Sequence, residues 1–237
     1  MIAASTAWAQ KAGDNILGLG LASINPDTSV GPVVSVGSDA TSNAVAGAFN
    51  TANAGLRGSI ASQITISASW LHMYSDNVGM DLLFGIPPKL TLDMHRADGT
   101  TVTDAATVKT WTPAVVAKYF FNTPQDKIRP YAGLGVSYVS FHSITPSSVD
   151  SLQALAGNGA SLSSTWTPVY SAGFIYNLDD RWSINAGVSY LPVRTTATYT
   201  GKTGTVNGSL VPATGVTTKV DLGLNTTDYV IRLGYRF

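Results

Sequence analysis

Segments of about ten residues alternate between bulky apolar side chains and small or polar ones. In "ITISASWLHM" (64–73), Ile64, Ile66, Ala68 and Trp70 face one way; Thr65, Ser67 and Ser69 face the other. A period of two is the period of a β-strand. The same alternation runs through "NILGLGLASIN" (15–25), "VGMDLLFGI" (78–86), "WTPAVVAKYFF" (111–121) and "IRPYAGLGVSYVSF" (128–141). It returns in "WTPVYSAGFIYNL" (166–178), "RWSINAGVSYLPV" (181–193) and the closing "VIRLGYRF" (230–237). The spacing therefore predicts eight strands, each with one greasy side.

The question is what the greasy side touches. A soluble β-sandwich turns its apolar face inward and needs a charged face toward water. Here the opposite face is Gly, Ser and Thr with a few isolated charges. Charged residues make up 12% of the chain, about half the usual share. Aromatics collect at the strand ends near the short turns: Trp70, Tyr119, Phe121, Tyr176, Trp182, Tyr235 and Phe237. Connections alternate in length. Short ones sit at 74–77, 122–127 and 177–180, and long polar ones at about 27–58, 96–107, 143–163 and 201–218. Aromatic girdles, short turns on one side and long loops on the other are the plan of an outer-membrane barrel. The predicted fold is all-β, an eight-stranded antiparallel transmembrane β-barrel in a single domain over 13–237. In hydrocarbon every backbone donor and acceptor must be paired internally, and a closed barrel does that. The greasy face then meets outer-membrane lipid and lipopolysaccharide in a bacterial outer membrane.

Other classes find little support. All fourteen acids are Asp, none is Glu, and there is no Cys, which leaves a dispersed set of ligands for any metal. A formal charge of zero gives no bulk attraction for nucleic acid. No Gly-rich phosphate loop opens a helix, and no cofactor is expected. Residues 1–12 are set apart as a signal-peptide remnant or disordered N-terminus. Ala7-Trp8-Ala9 before Gln10 has the A-x-A form of a cleavage site, although the basic and apolar regions of a signal are mostly missing; the match is a truncated signal or chance.

Read inward, the eight strands predict two zones. Near the short turns the inward set holds Asp81, Lys118, Arg129, Arg181, Asp228, Arg232 and Arg236. An eight-stranded interior is only wide enough to be filled by side chains, so these charges are expected to pair as a plug. A proton relay or an anion site is the alternative. Toward the long loops the inward positions turn apolar: Ile24, Leu83, Pro87, Val116, Val139, Phe141, Val169 and Leu191. An apolar cup suits a hydrophobic molecule. Above a charged floor, such a molecule has to leave sideways. Pro87, Pro88, Pro113, Pro168 and Pro192 either cap strand segments above the membrane or weaken a seam that opens laterally.

"DNVGMDLLFGIP" (76–87), "TPAVVAKYFF" (112–121), "IRPYAGLGVSYVSF" (128–141), "DDRWSINAGVSY" (179–190) and "GYRF" (234–237) resemble the OmpW family, which includes the AlkL-type proteins. Order and spacing match over about 14–237, outside the loops. The resemblance implies passive uptake of small hydrophobic molecules such as alkanes or aromatics, with lateral release into the membrane. It implies that Leu83 forms part of a gate. The family's aromatic partner on the seventh strand is Ser189 here, which leaves the gate either open or closed by Leu191 or Phe141. The long Gly/Ala/Thr first loop also departs from the family's shorter members. A terminal Phe resembles the signal read by the barrel-assembly machinery, which makes that machinery an expected partner through the last strand.

Two rival functions remain. A structural or adhesion barrel predicts a fully plugged polar lumen with no cup. A lipid-modifying enzyme needs a base beside a nucleophile. His72 is expected outside near a short turn; His95 and His142 lie toward the long loops, with Ser140, Ser143 and Asp93 as neighbours in reach of His142. Serine is so common in this chain that the constellation is weak, and no enzymatic activity is expected.

Overall fold

A computed structural model describes residues 10–148, 156–206 and 209–237. Eight antiparallel strands form its frame. They are β1 (Asn15–Val30), β2 (Gln63–Met73), β3 (Val78–Gly85), β4 (Ala114–Phe120), β5 (Ile128–Pro146), β6 (Thr165–Asn177), β7 (Trp182–Leu191) and β8 (Val216–Arg236). Each pairs with its sequence neighbour, from β1–β2 through to β7–β8. The register Ile16↔Arg236 to Val30↔Leu222 joins β8 back to β1 and closes the ring. Closure leaves no edge within the ring, so its backbone groups are satisfied by neighbouring strands. No helix among the described residues is long and apolar enough to cross a membrane.

Alternation sets the two faces. Leu19, Leu134, Ile231 and Ile66 stand exposed on the outside, an apolar band of the kind a bilayer covers. Aromatic contacts edge the band at the short-turn end: Tyr119 with Phe121 at 5.3 Å and Trp182 with Tyr235 at 4.9 Å between ring centroids. At the other end Tyr138 and Trp166 pair across β5 and β6, with rings 5.0 Å apart. The predicted outward set is therefore outward, and the predicted barrel is present.

The short connections are built from Asp and Ser side chains that take up loose amides. Asp179 accepts from the N–H groups of Arg181 and Trp182, each at 2.7 Å. Asp126 accepts from the N–H and hydroxyl of Thr123. These donors hold both carboxyls below the ordinary Asp range, because a carboxylate that accepts amide hydrogen bonds is stabilised in its charged form.

The long connections contain more regular structure than their composition suggests. Residues 89–95 and 101–111 form a hairpin above β3 and β4, and Arg57–Ile60 pairs on its outer edge. Arg194–Thr200 extends along β8, and Gly159–Leu162 pairs with it. The first long segment, read as low in complexity, contains helix α1 (Ala40–Ala52). Its N-cap Asp39 takes the Ser42 N–H at 2.8 Å, while the Ser42 hydroxyl takes the Asp39 N–H at 3.0 Å. This reciprocal cap satisfies amides that a helix start otherwise leaves bare. Ala46 and Phe49 on α1 pack on Ala213 and Val216, which lays the helix over the outer end of β8.

Residues 10–12 also belong to the fold. Gln10 is buried at the short-turn end and donates to Asn177 Oδ1 at 2.7 Å. The Ala7–Ala9 segment lies outside the described residues.

Candidate functional site: a sealed floor beneath an apolar cup

The floor forms because small residues on the walls leave room for long ones. Lys118 on β4 has Gly79 and Gly133 directly opposite it on its two neighbouring strands. Its stem crosses to Asp81 on β3, and Nζ donates to Oδ2 at 2.6 Å. The two are 3% and 2% exposed; a buried charge of this kind persists only when paired. The same ammonium lies 4.1 Å from the centre of the Tyr131 ring. Tyr131 reaches over Gly173 and Gly187, where a Cβ would collide with its hydroxyl, at 2.7 Å in the case of Gly173. Glycine on these inward positions is the condition for a filled lumen.

Below this pair, Arg129 is fully buried. It donates through Nη1 to the Gln10 carbonyl at 2.6 Å and through Nη2 to the Asp76 carbonyl. Phe120, Met73, Ile175, Leu71, Ile16 and Tyr131 pack between as a greasy layer. Arg232 donates twice to Ser67 Oγ, at 2.9 and 2.7 Å. Arg236 pairs with Asp14 at 3.1 Å.

Three expected placements are corrected. Arg181 is exposed, in the turn before β7, and its N–H caps Asp179. It stands before the strand begins, so alternation does not aim it inward. Asp228 lies higher than the floor, beside Ile24 on β1 and Ser189 on β7, where it lines the cup's base. Pro87 is exposed and Pro88 lines the cavity instead, because the alternation of β3 does not continue past its end at Gly85.

From the level of Arg232 and Asp228 upward, three cavities among the described residues share walls, and their lining turns from mixed to apolar with height. The lowest, about 70 Å³, is bounded by Ile24, Leu83, Val169 and Leu191 on one side and by Ser67, Ser189, Asp228 and Arg232 at its base. The middle one, about 40 Å³, adds Val139 and Phe141 and shares Ile24, Leu191 and Asp228 with the lowest. The uppermost, about 70 Å³, shares Ile60 and Leu224 with the middle one and is walled by Val30, Leu92, Val108 and Leu222. Of the residues expected here, Ile24, Leu83, Val139, Phe141, Val169, Ser189 and Leu191 come together. Val116 is fully buried in the same cluster but stands lower, as the strand partner of Asp81, and lines none of the three cavities.

Of the upper wall, Ile60, Leu92, Val108, Leu222 and Leu224 lie in short stretches between the predicted strands and the long polar segments, assigned to neither. Their signal was short but present. In "KLTLDMH" (89–95) Leu90, Leu92 and Met94 alternate, and in "KVDLGL" (219–224) Val220, Leu222 and Leu224 do.

Among the described residues the wall is interrupted at two seams. Between β6 and β7 the pairing stops at Tyr170↔Tyr190 and resumes at Leu162↔Ala197, with Pro168 and Pro192 between. The second interruption lies between β3 and β4. On β3–β4 the pairing stops at Leu83↔Ala114 and resumes in the overlying hairpin at Lys89↔Lys109. Between them lie Pro87, Pro88 and Pro113, which lack an amide donor. The lowest cavity reaches Phe84, Gly85 and Thr112 in this gap, and Phe84 is 47% exposed on the outer surface.

The histidines sit elsewhere. His72 meets Asn15 Oδ1 and the edge of Tyr74. His95 bridges Ser59 and Thr101 hydroxyls. His142 lies 3.1 Å from Ser140 Oγ, and Asp93 is engaged with the Asp104 N–H.

A closed eight-stranded ring, an apolar belt between aromatic edges and a cavity-bearing lumen define a small outer-membrane β-barrel. The OmpW family model matches residues 11–237, and the chain belongs to that family. It is 24% identical over 236 residues to outer membrane protein W of Vibrio cholerae, covering 100% of this chain and 94% of that one. It is 23% identical over 144 residues to outer membrane protein AlkL of Ectopseudomonas oleovorans, 60% of this chain and 57% of that one. The crystal structure of OprG from Pseudomonas aeruginosa superposes with a TM-score of 0.77 at 24% identity, covering 97% of this chain and 98% of that one. The relatives are bacterial outer-membrane proteins, and this chain is one of the same membrane.

Proposed function

We propose that the protein is a passive channel for small hydrophobic molecules, which enter the cup from outside and leave sideways between β3 and β4. The single observation that carries this reading is the gap between Leu83↔Ala114 and Lys89↔Lys109, where the lowest cavity meets the lipid-facing Phe84. A greasy solute loses water contact on reaching the cup, which is favourable by roughly 25 cal/mol per Å² of apolar surface. The Asp81–Lys118 and Arg129 layers bar the way down, since an apolar solute there would have to displace paired buried charges. The gap offers the lower-cost way out, because the bilayer is as apolar as the cup.

Leu83 packs against the cluster that holds Leu191, Val169 and Phe141, so it stands at the inner side of the gap. Ser189 leaves the facing wall of β7 unfilled. Uptake of a fluorescent hydrophobic probe into proteoliposomes tests the route. Leu83→Arg and Leu191→Arg are each expected to slow uptake about tenfold, and Arg181→Gln to leave it unchanged. Unaltered uptake in both arginine variants would overturn the route.

A further inference from the structure

Lys89, Lys109 and His142 form one row across three neighbouring strand segments. Lys89 is the direct partner of Lys109, and Lys109 of His142. Direct partners in an antiparallel pair project to the same side. All three are exposed, and Lys109 shares its outward side with Trp111 two residues on. Like charges placed directly opposite destabilise a strand pair. No acid relieves them: neither lysine has an ion pair among the described residues. Of the hairpin's acids, Asp93 caps the Asp104 amide and Asp98 that of Thr100, and Asp104 is exposed.

The row's height is set by its neighbours. Trp111 pairs with Ser140, and Tyr138 stacks with Trp166 one step lower. Exposed Trp and Tyr rings of this kind mark the interface of a bilayer. Two residues of strand rise about 7 Å, so the row stands just beyond that interface, at the level of lipid phosphates. An ammonium is a compact point charge suited to phosphate oxygen, and two side by side suit a group with more than one negative charge.

We propose that Lys89 and Lys109, flanked by His142, bind the phosphate groups of a phosphorylated outer-leaflet lipid. The same pair is the upper border of the β3–β4 gap, whose lower border is Leu83↔Ala114. A lipid held there hangs its acyl chains across the gap, beside Phe84 and Ile86, both of which face outward. The phosphate site stands without the channel reading; the covering of the gap rests on it.

Native mass spectrometry of the full-length barrel in detergent tests the site, with diphosphoryl lipid A, its dephosphorylated form and pyrophosphate as probes. Wild type is expected to hold diphosphoryl lipid A about tenfold more tightly than Lys89→Gln/Lys109→Gln. Lys127→Gln, at the opposite end, is expected to bind like wild type. Both exchanged lysines are exposed, and retained heat-modifiable migration of the double variant shows that it is folded. Equal lipid affinity in wild type and the double variant overturns the proposal. Pyrophosphate that binds as tightly as the lipid overturns the assignment to a lipid.

Probe uptake tests the covering. Diphosphoryl lipid A in the liposome is expected to change wild-type uptake by about threefold and to leave the double variant unmoved. Uptake that is indifferent to the lipid overturns the covering alone. A complete absence of uptake under every lipid overturns the channel instead.

Discussion

The two halves of the lumen use the same inward-facing strand positions for opposite ends. In the lower half, Lys118 and Tyr131 reach across glycines, Arg129 fills the bore beneath them, and their polar ends meet Asp81, Asn185 and the Gln10 carbonyl. In the upper half, Leu191, Phe141 and Leu224 line the bore without filling it. The floor therefore stores stability in mutual contact. The cup gives up some of that contact and keeps room. The difference shows that a barrel of one diameter can be plug or pocket, decided by whether its long side chains are tethered or apolar.

The sharpest way to break the comparison is to unpair the floor. Asp81→Ala leaves Lys118 buried without its partner, which is expected to cost about 3–5 kcal/mol. Exchanging both, as Asp81→Leu with Lys118→Met, is expected to return most of that stability. Urea unfolding of the refolded barrel in bilayers measures it, and an equally large loss in the double exchange would remove the pair from the account.

A smaller contrast comes from truncation in the two zones. Phe120→Ala opens a void in a filled layer and is expected to cost about 3–5 kcal/mol. Leu191→Ala enlarges cavities that already exist, so its cost is expected near the low end, about 2 kcal/mol. The second variant is also expected to speed probe uptake. Equal costs would mean that floor and cup are packed alike.

The smallest effect concerns pH at the floor's outer edge. Asp126 and Asp179 are held below the ordinary range, chiefly by the N–H groups of Thr123 and Arg181 respectively. A depressed folded value means that their contribution is complete above the ordinary Asp value of about 3.9 and is lost as pH falls through the lowered one. The amide resonances of Thr123 and Trp182 are therefore expected to stay constant from neutral pH to about 5. They should move only below about 4. Movement near pH 6 would contradict the capping.

Much of this was legible in the alternation. Outward residues such as Leu19, Ile66 and Leu134 and inward ones such as Asp81, Lys118 and Arg232 follow from a period of two. Asp228 kept its inward face and was misplaced only in height, and the errors of face fall where the period breaks. Arg181 stands in a turn and Pro87 follows the end of β3, so neither inherits a face. Gln10 was set aside with the N-terminal segment, yet its role depends on Arg129, 119 positions away in the chain. The upper wall was hidden because Leu90, Val108 and Leu222 stand in short alternations among Thr, Lys and Asp, between the predicted strands and the long polar segments.

The strand pairings differ greatly in length. The joint that closes the ring, β1 with β8, runs through fifteen residue pairs, from Ile16↔Arg236 to Val30↔Leu222. The β3–β4 joint runs through six, from Val78↔Tyr119 to Leu83↔Ala114. Under a sideways pull the short joint yields first while the closing one holds. Mechanical compliance is thereby greatest on the side of the cask where successive joints run through seven, six and seven pairs, and the tension and thickness of the surrounding bilayer become variables that act on that side.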